Sequence, residues 1–292
     1  MALFDPRLEV VAVTAAAGNV GAEQATANLQ ALVACLDPPR LPRIGVAATD
    51  AALPARPYSM HGADGLGGID LPRVPLHGGH ASEKVIWEAI KAHPRQLTIL
   101  ALGPLTNVSR VLKRDPGIAE LIGAVVICGG TAQGLGNATP VADFNFFSDP
   151  AAARHVLAEP ITKTLVPLET TGQVVYDLDF LERLPREFTR AGRLLRPMLA
   201  HAFRAHRQLL GCEGIRLHDV AALVAATDPD LFERETVAAD VETTGDLTAG
   251  MLVIDRRRNR VWRPNADLLV ACDAVGVRDR VLKGLTAAGE AT

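Results

Sequence analysis

The chain lacks the features that mark several large classes of protein. Its 30 lysines and arginines are balanced by 33 aspartates and glutamates, so there is no basic surplus to hold a phosphate backbone. We therefore expect no nucleic-acid partner. Charged, proline and glycine residues interrupt every apolar run well short of a membrane span, so we expect no transmembrane helix and no membrane partner. The start, MALFDPRLEV, has no basic segment followed by a long apolar stretch, which predicts a cytoplasmic protein without a signal peptide.

Cysteine pairs and nucleotide-binding glycine motifs are missing as well. The cysteines are Cys35, Cys128, Cys212 and Cys272, which are widely spaced and form no CxxC pair. A zinc site and a disulfide framework are therefore disfavoured, and buried reduced thiols are expected. No strand–GxGxxG–helix arrangement occurs, so a dinucleotide cradle is not supported.

What the sequence does contain is an alternation of short apolar runs and helical patterns. Strands are predicted at residues 8–14, 43–48, 96–102, 124–128 and 163–167, and helices at residues 22–35, 82–93, 105–113 and 151–158. This order predicts an α/β fold, with an open, mostly parallel, Rossmann-like sheet covered by helices on both faces. A mostly helical part (178–226) and a small β part (236–271) follow. Without repeats or a linker, we predict one domain over residues 1–292.

Open parallel sheets place ligands beyond the carboxyl ends of their strands, so the loops after each predicted strand are the first places to look. The first loop has Gly18 and Asn19, where a plain turn is the simpler interpretation. The second contains HGADGLGG with His61 and Asp64. A flexible flap and a solvated glycine-rich loop are equally good interpretations of this segment. The third follows Leu102, whose carbonyl is expected to be exposed at a strand end.

Two further segments carry denser chemistry. In GNATPVADFNFFSDP, the amide and carboxylate groups of Asn137, Asp143 and Asn145 alternate with aromatic residues, which suits a polyhydroxylated ligand or, equally, a structural loop with Asx turns. In LHDVAALV, His218 and Asp219 begin an apolar helical run. The carboxylate of Asp219 suits a helix cap or a hard cation, and His218 suits an acid near neutral pH.

Taken together and in this order, these segments resemble the nucleoside hydrolase family, including its inosine–uridine-preferring and ribonucleoside-specific members. The matching stretches are VTAAAGNV, HGADGLGG, TILALGPLTNV, VICGGTAQGLGNATPVADFNFFSDPAAA, LHDVAALV and the closing ETTGDLTAGMLVIDRR…RPN. The resemblance implies hydrolysis of the N-glycosidic bond of a ribonucleoside to a free base and ribose. It also implies a Ca²⁺ ion that orients ribose hydroxyls and activates a water molecule, and an oxocarbenium-like transition state.

Carried over by position, the resemblance assigns a role to each candidate. Asp219 and the main-chain carbonyl of Leu102 would be calcium ligands, and His218 would stand on the leaving-base side as a candidate acid. The ribose hydroxyls would be bound by Asn137, Asp143 and Asn145, with Asn19 lining the pocket near the sugar and His61 toward the base. Relatives are commonly homo-oligomers, which predicts the same here by analogy. Base preference stays open, and so does whether His206 and Arg207 face the base or the surface.

Two departures from the family pattern matter. Asp143 stands where the family usually has Glu, and the carboxylate is thereby pulled back by over ~1 Å. The family also opens with a strand and a D-x-D-P-G-x-D-D-type turn that supplies calcium-site aspartates and the catalytic base. Here residues 1–4 resemble the end of the helix after that turn, and Asp5 does not match the motif. The sequence therefore predicts a fold without the family's first central strand.

Three explanations for this departure compete. The favoured one is that Met1 is an internal methionine of a longer protein whose upstream codons encode the missing turn. The second is a catalytically inactive ribose- or nucleoside-binding protein, since one carboxylate and one carbonyl fall short of the roughly six to eight oxygens that Ca²⁺ prefers. The third is a structural role in which a partner subunit covers the open sheet edge. We expect negligible nucleosidase activity from residues 1–292 alone.

Overall fold

The computed structural model describes residues 1–49, 60–72 and 79–292, and these form an α/β structure with mostly parallel sheets. The strands are β1 (Ala12–Thr14), β2 (Arg43–Val46), β3 (His80–Ala81), β4 (Thr98–Ala101), β5 (Ala124–Cys128), β6 (Lys163–Val166), β7 (Val175–Tyr176), β8 (Ile215–Arg216), β9 (Phe232–Val237), β10 (Ala239–Val241), β11 (Leu252–Ile254) and β12 (Ala266–Cys272). The helices are α1 (Ala22–Leu36), α2 (Ser82–Ala92), α3 (Thr106–Arg114), α4 (Phe144–Ser148), α5 (Pro150–Ala158), α6 (Leu168–Gly172), α7 (Arg190–Leu210), α8 (His218–Thr227) and α9 (Ala274–Glu290). None of the helices in these ranges is long and apolar enough to cross a membrane.

The strands fall into two principal sheets. One has the order β1-β2-β3 and is parallel throughout. The other has the order β4-β5-β6-β12-β9, in which only the edge strand β9 runs antiparallel to its neighbour. Two short antiparallel pairs, β10-β11 and β7-β8, complete the pairing among the described residues. The predicted parallel α/β class is thus confirmed, but its parallel strands are divided between two sheets.

Strand β5 shows why these residues form a buried parallel strand. Its side chains alternate between two hydrophobic clusters, because successive residues of a strand point to opposite faces of the sheet. Val125 and Ile127 belong to the cluster built with α2, α3 and α5, whereas Val126 and Cys128 belong to the cluster built with α7, α8 and α9. Both faces of the sheet are therefore covered, which explains the continuous apolar run in the sequence.

The two principal sheets approach each other at their carboxyl ends. The carbonyl of Ala15, directly after β1, accepts hydrogen bonds from Ser82 Oγ at the start of α2 and from Asn107 Nδ2 at the start of α3, both at 2.9 Å. A Cβ atom built on Gly103 would lie 3.8 Å from the Cβ of Ala16. The loops that follow β1 and β4 therefore lie side by side, and both open on the same edge of the fold.

An ion-pair network fixes the first residues of the chain against α8 and α9. Arg280 on α9 bonds Asp228 through Nε at 2.9 Å and also pairs with Asp5. Arg7 reaches the same two carboxylates, with Nη1 at 2.9 Å from Asp228 Oδ1 and Nη2 at 3.1 Å from Asp5 Oδ2. The side chain of Arg280 is only 17% exposed, whereas that of Arg7 is 48% exposed. Arg280 is therefore the better-protected member of the network.

We expect Arg280→Met to lower the free energy of unfolding by ~1–3 kcal/mol, because it leaves the nearly buried Asp5 carboxylate without its protected partner. The exposed Arg7 is the matched control, and Arg7→Met is expected to cost clearly less than Arg280→Met, because a solvent-exposed ion pair contributes little. Urea unfolding followed by circular dichroism measures both. Equal losses for the two variants would contradict the assignment of Arg280 as the principal contact.

Candidate active site

The side chain of Asn145 joins the carboxyl ends of β4 and β5. Its Nδ2 donates to the carbonyl of Leu102 at 3.2 Å and to the carbonyl of Cys128 at 2.9 Å. Both hydrogens of the amide are thereby used, and Oδ1 is the polar atom left for a ligand. The Leu102 carbonyl has a second lone pair, and the residue is 38% exposed, as expected for a carbonyl at an open strand end.

Asp143 and Asn137 hold the short helix α4, from which Asn145 projects. Asp143 caps this helix: Oδ1 accepts from the amides of Gly130 at 2.7 Å and Phe146 at 3.1 Å, and Oδ2 from the amide of Asn145 at 2.9 Å. Asn137 Oδ1 accepts from the amide of Phe144 at 2.8 Å. Asp143 is 3% exposed, and its burial raises the pKa of its carboxyl while the three amide bonds oppose that shift. Its carboxylate is thus largely occupied by backbone donors.

Asp219, in the first turn of α8, lies beside the end of β5. Cys128 Sγ lies 3.6 Å from Asp219 Oδ1, and the thiol donates to the carboxylate. Asp219 is exposed at this end of the sheet, beside the buried Cys128. Desolvation raises the pKa of Asp219 to about 6, and the thiol bond acts in the opposite direction. Water reaching its exposed side moderates that effect.

His218, the first residue of α8, is oriented by Thr171 on α6. Thr171 Oγ1 is 2.6 Å from His218 Nδ1 and 3.1 Å from the carbonyl of Pro167. The hydroxyl has one hydrogen, so a bond donated to the carbonyl makes it the acceptor for an Nδ1–H, and Nε2 then carries the free lone pair. Desolvation lowers the pKa of His218 to about 4, and the charges of Arg216 and His206 add to this. The imidazole is therefore neutral at pH 7.

Helix α6 contributes residues that sequence reasoning missed. Besides Thr171, it carries Glu169, whose carboxylate accepts from Thr131 Oγ1 and from the amides of Ala132 at 3.1 Å and Gln133 at 2.9 Å. The loop after β5 is thereby fixed from the side. The signal was available, because residues 168–172 directly follow the predicted strand at 163–167, and the same strand-end rule applies to them.

The loops after β1 and β2 form a further wall of the cleft. A Cβ built on Gly18 would lie 3.5 Å from Pro104 Cδ and 3.7 Å from Phe144 Cε1, which puts the neighbouring, exposed Asn19 close to the other loops. Asn28 Nδ2 on α1 donates to the carbonyl of Asp64 at 2.7 Å. His61 is exposed in the same HGADGLGG loop, whereas residues 50–59 of the second predicted loop lie outside the described residues.

Gly67 shows how closely this loop approaches α7. Its φ is +78°, and a Cβ built there would lie 2.7 Å from Cγ of His201. A side chain is disfavoured by both the backbone conformation and the space. Two residues of α7 left open by the sequence are also placed: His206 is half-buried and close enough to His218 to affect its pKa, and Arg207 is exposed.

The structure therefore brings Leu102, Asn137, Asp143, Asn145 and Asp219 into one set of contacts at the ends of β4 and β5, with His218 beside them. Asn19 and His61 lie on adjoining loops. In the described ranges, no group of three or more His, Cys, Asp or Glu side chains is placed to hold a metal ion. Asp219 and the Leu102 carbonyl, the two oxygen donors expected from the sequence, are both present. Two donors are few for a metal site.

Fold and site together define a Rossmann-like α/β protein whose polar cleft lies at the carboxyl ends of parallel strands. The model of the family described as inosine-uridine preferring nucleoside hydrolase matches residues 1–279, and the chain belongs to that family. Non-specific ribonucleoside hydrolase RihC of Salmonella agona is 35% identical over 285 residues, which are 96% of this chain and 90% of the relative.

Solved structures of the same class superpose closely. The plant nucleoside hydrolase PpNRh1 matches with a TM-score of 0.88 and 30% identity, covering 98% of this chain and 93% of that one. A purine-preferring ribonucleoside hydrolase from Gardnerella vaginalis matches with a TM-score of 0.91 over 100% of this chain and 94% of that one. Its 24% identity supports the shared fold alone.

The Thr171–His218 contact gives a prediction for the imidazole. We expect His218 to be neutral at pH 6 with its proton on Nδ1, and to be protonated only near pH 4, because burial lowers its pKa to about 4. Ring ¹⁵N chemical shifts, assigned with His218→Gln, measure both. Thr171→Val should shift the proton toward Nε2, whereas Thr171→Ser should preserve the Nδ1–H form. An unchanged tautomer in Thr171→Val would show that the hydroxyl does not set it.

Proposed function

We propose that this protein binds ribonucleosides and that, once donors beyond the described residues complete the calcium site, its reaction is hydrolysis of the N-glycosidic bond to a free base and ribose. The observation that carries the proposal is the convergence of Asn145, Asp219 and His218 at one cleft in a chain matched over residues 1–279 by the nucleoside hydrolase family. In this reaction water adds to C1′ of the ribose, the bond from C1′ to the base nitrogen breaks, and the base leaves with a proton.

The ribose side of the cleft is supported by amide groups. Asn145 is locked by its two donated bonds, so its Oδ1 is held in position to accept from a sugar hydroxyl. Asn137 and Asn19 are exposed at the same edge and offer both donors and acceptors. Asp143 was assigned to the ribose by resemblance, and its capping bonds indicate that it acts mainly by fixing Asn145. The Asp-for-Glu change then shortens the reach toward the sugar.

The base side is supported by His218. With Nδ1 bonded to Thr171, Nε2 is the atom available to the base. A neutral imidazole accepts a hydrogen bond from a base N–H, and it becomes an acid only if substrate binding raises its pKa from about 4. His206 and His61 extend this side of the cleft and are proposed to contact the base.

Calcium is implied by the family, but the described donors do not complete a calcium site. Asp219 supplies a carboxylate and Leu102 a main-chain carbonyl, whereas Ca²⁺ takes roughly six to eight oxygen ligands. The aspartate that takes a proton from the attacking water in relatives has no counterpart in this set. The described residues therefore do not hold Ca²⁺ by themselves.

The shortage of donors favours a second candidate function for residues 1–292 on their own, which is ribonucleoside binding without turnover. The contacts that would hold the sugar, at Asn145 and Asn137, do not depend on a metal. The two candidates share a ligand and differ in chemistry, so release of base and binding of nucleoside must be measured separately.

We expect the purified 292-residue protein to bind inosine or uridine in isothermal titration calorimetry. We also expect negligible calcium-dependent release of base in a chromatographic assay, because the described donors are too few for Ca²⁺ and water activation. Sustained release of base that stops on chelation would show that the binding-only candidate is wrong. Failure to bind any ribonucleoside, with or without calcium, would contradict the proposed function itself.

Asn145 gives the sharpest test of the ribose side. Asn145→Ala removes both the acceptor and the clamp across two strand ends, so nucleoside affinity should fall at least about tenfold, which corresponds to ~1.4 kcal/mol. Gln208→Ala, an exposed position on α7, is the control and should bind like the parent. Equal affinity for Asn145→Ala and the control would remove Asn145 from the ribose site.

A further inference from the structure

A turn from a distant part of the chain packs against the short helix that carries Asn145. Strands β10 and β11 pair antiparallel, with Val241 opposite Leu252, and residues 242–251 close the hairpin between them. We call residues 242–251 the β10–β11 turn. This turn lies far along the chain from α4, yet its Gly250 meets the main chain of that helix directly.

Gly250 is the point of closest contact between the turn and α4. It is buried, its φ is +82°, and a Cβ built on it would lie 2.6 Å from Cα and 2.8 Å from the backbone nitrogen of Phe147. These are main-chain atoms, which cannot rotate aside as the end of a flexible side chain can. A side chain at position 250 must therefore displace either the turn or the helix.

The turn is firmly held by one carboxylate. Glu242 Oε1 accepts hydrogen bonds from the amides of Thr243 at 2.8 Å, Thr244 at 2.9 Å and Gly245 at 3.3 Å. These amide bonds, that of Thr244 first, lower the pKa of the Glu242 carboxyl. The amide of Gly250 also donates to the main-chain carbonyl of Glu242 at 2.7 Å. Glu242 thus fixes both the turn and the position of Gly250 within it.

Helix α4, in contrast, has little internal support. It is 5 residues long, and the amide of Phe147 donates to the carbonyl of Asp143 at 2.9 Å. Since so short a helix is not stable by itself, its neighbours set its position. On its other side the ring of Phe146 is fully buried, and a Cβ built on Gly129 would lie 2.8 Å from Cε1 of that ring. Helix α4 is therefore held between the loop after β5 and Gly250.

Asn145 directly precedes the two residues that make these contacts. Its Nδ2 lies 3.2 Å from the carbonyl of Leu102 and 2.9 Å from the carbonyl of Cys128. Because N–H···O bonds weaken beyond about 3.2 Å, a small displacement of α4 weakens the longer bond, to Leu102, first. The orientation of the Asn145 amide is thus sensitive to the contact at Gly250.

We propose that Gly250 is a positioning residue for the side-chain amide of Asn145. Because Gly250 leaves no side chain between the β10–β11 turn and α4, the turn sets how Asn145 spans the ends of β4 and β5. The consequence for ribose binding rests on the proposed function, whereas the placement of Asn145 can be measured without any nucleoside.

We expect Gly250→Ala to shift the side-chain amide resonances of Asn145, because the added methyl group displaces α4 and weakens the bond to Leu102. Spectra that correlate ¹H and ¹⁵N measure this shift, with the signals assigned by their absence in Asn145→Ala. A loss of global stability alone does not move the resonances of the folded state. In isothermal titration calorimetry, inosine should bind Gly250→Ala at least about tenfold more weakly than the parent.

Gly211→Ala is the matched control for backbone strain. Gly211 has a φ of +66°, so alanine is disfavoured there for the same reason, but no atom lies within 4 Å of a built Cβ. The melting temperature of this variant should fall, while its Asn145 resonances and its affinity for inosine should match those of the parent.

Variants at Glu242 test the same contact with Gly250 intact. Glu242→Ala removes the acceptor that fixes the turn, so it should shift the Asn145 resonances and weaken inosine binding. Glu242→Gln keeps an oxygen acceptor and should restore both properties.

Three results would overturn the proposal. The first is unchanged Asn145 resonances in Gly250→Ala, or in Glu242→Ala if Gly250→Ala does not fold. The second is an equal shift in Gly211→Ala, which would assign the effect to backbone strain. The third is parental affinity for inosine despite shifted resonances. If the parent itself binds no nucleoside, the proposed function is wrong, and the resonances still decide whether Gly250 positions Asn145.

Discussion

A strand in a parallel sheet must satisfy its peptide groups on two sides, because alternate residues direct their N–H and C=O groups to opposite neighbours. Strand β5 meets this requirement with β4 and β6, and its side chains supply two hydrophobic clusters. Strands β1 and β4 meet it on one side in the described residues. An unpaired buried peptide group costs ~1–3 kcal/mol, so the buried strand β5 is the one for which pairing on both sides matters most.

The cleft depends on the same edge of the layer. Asn145 donates to the carbonyls of Leu102 and Cys128, so the relative position of β4 and β5 is transmitted directly to the polar residues. Helix α6, which follows β6, orients His218 through Thr171 and the loop after β5 through Glu169. Residues from successive strand ends thus position one another, and a shift of any one strand would alter the arrangement of Asn145, Asp219 and His218.

Much of this organisation could be predicted from the sequence, since periodicity and strand-end loops are local signals. Helix α1 begins at the predicted residue and ends one residue later than predicted, and β5 has the predicted limits at residues 124–128. The clustering of Asn137, Asp143 and Asn145 was also visible. The sequence pattern could not show that the Asp143 carboxylate accepts hydrogen bonds from backbone amides, because capping depends on where the chain turns in space. Helix α6 is only one turn long and carries no apolar period, so the contact between its Thr171 and His218 is visible only in the three-dimensional structure.

The contact between Gly67 and His201 has a consequence for redesign of the HGADGLGG loop. The loop rests on the imidazole of His201 with no room for a Cβ at Gly67. A smaller residue at position 201 would therefore open a void beneath the loop, and any larger residue at position 67 would lift the loop off the helix. Attempts to mutate His61 or its neighbours should treat positions 67 and 201 as a pair. Libraries that randomise the loop alone will be dominated by variants in which the loop no longer packs against α7.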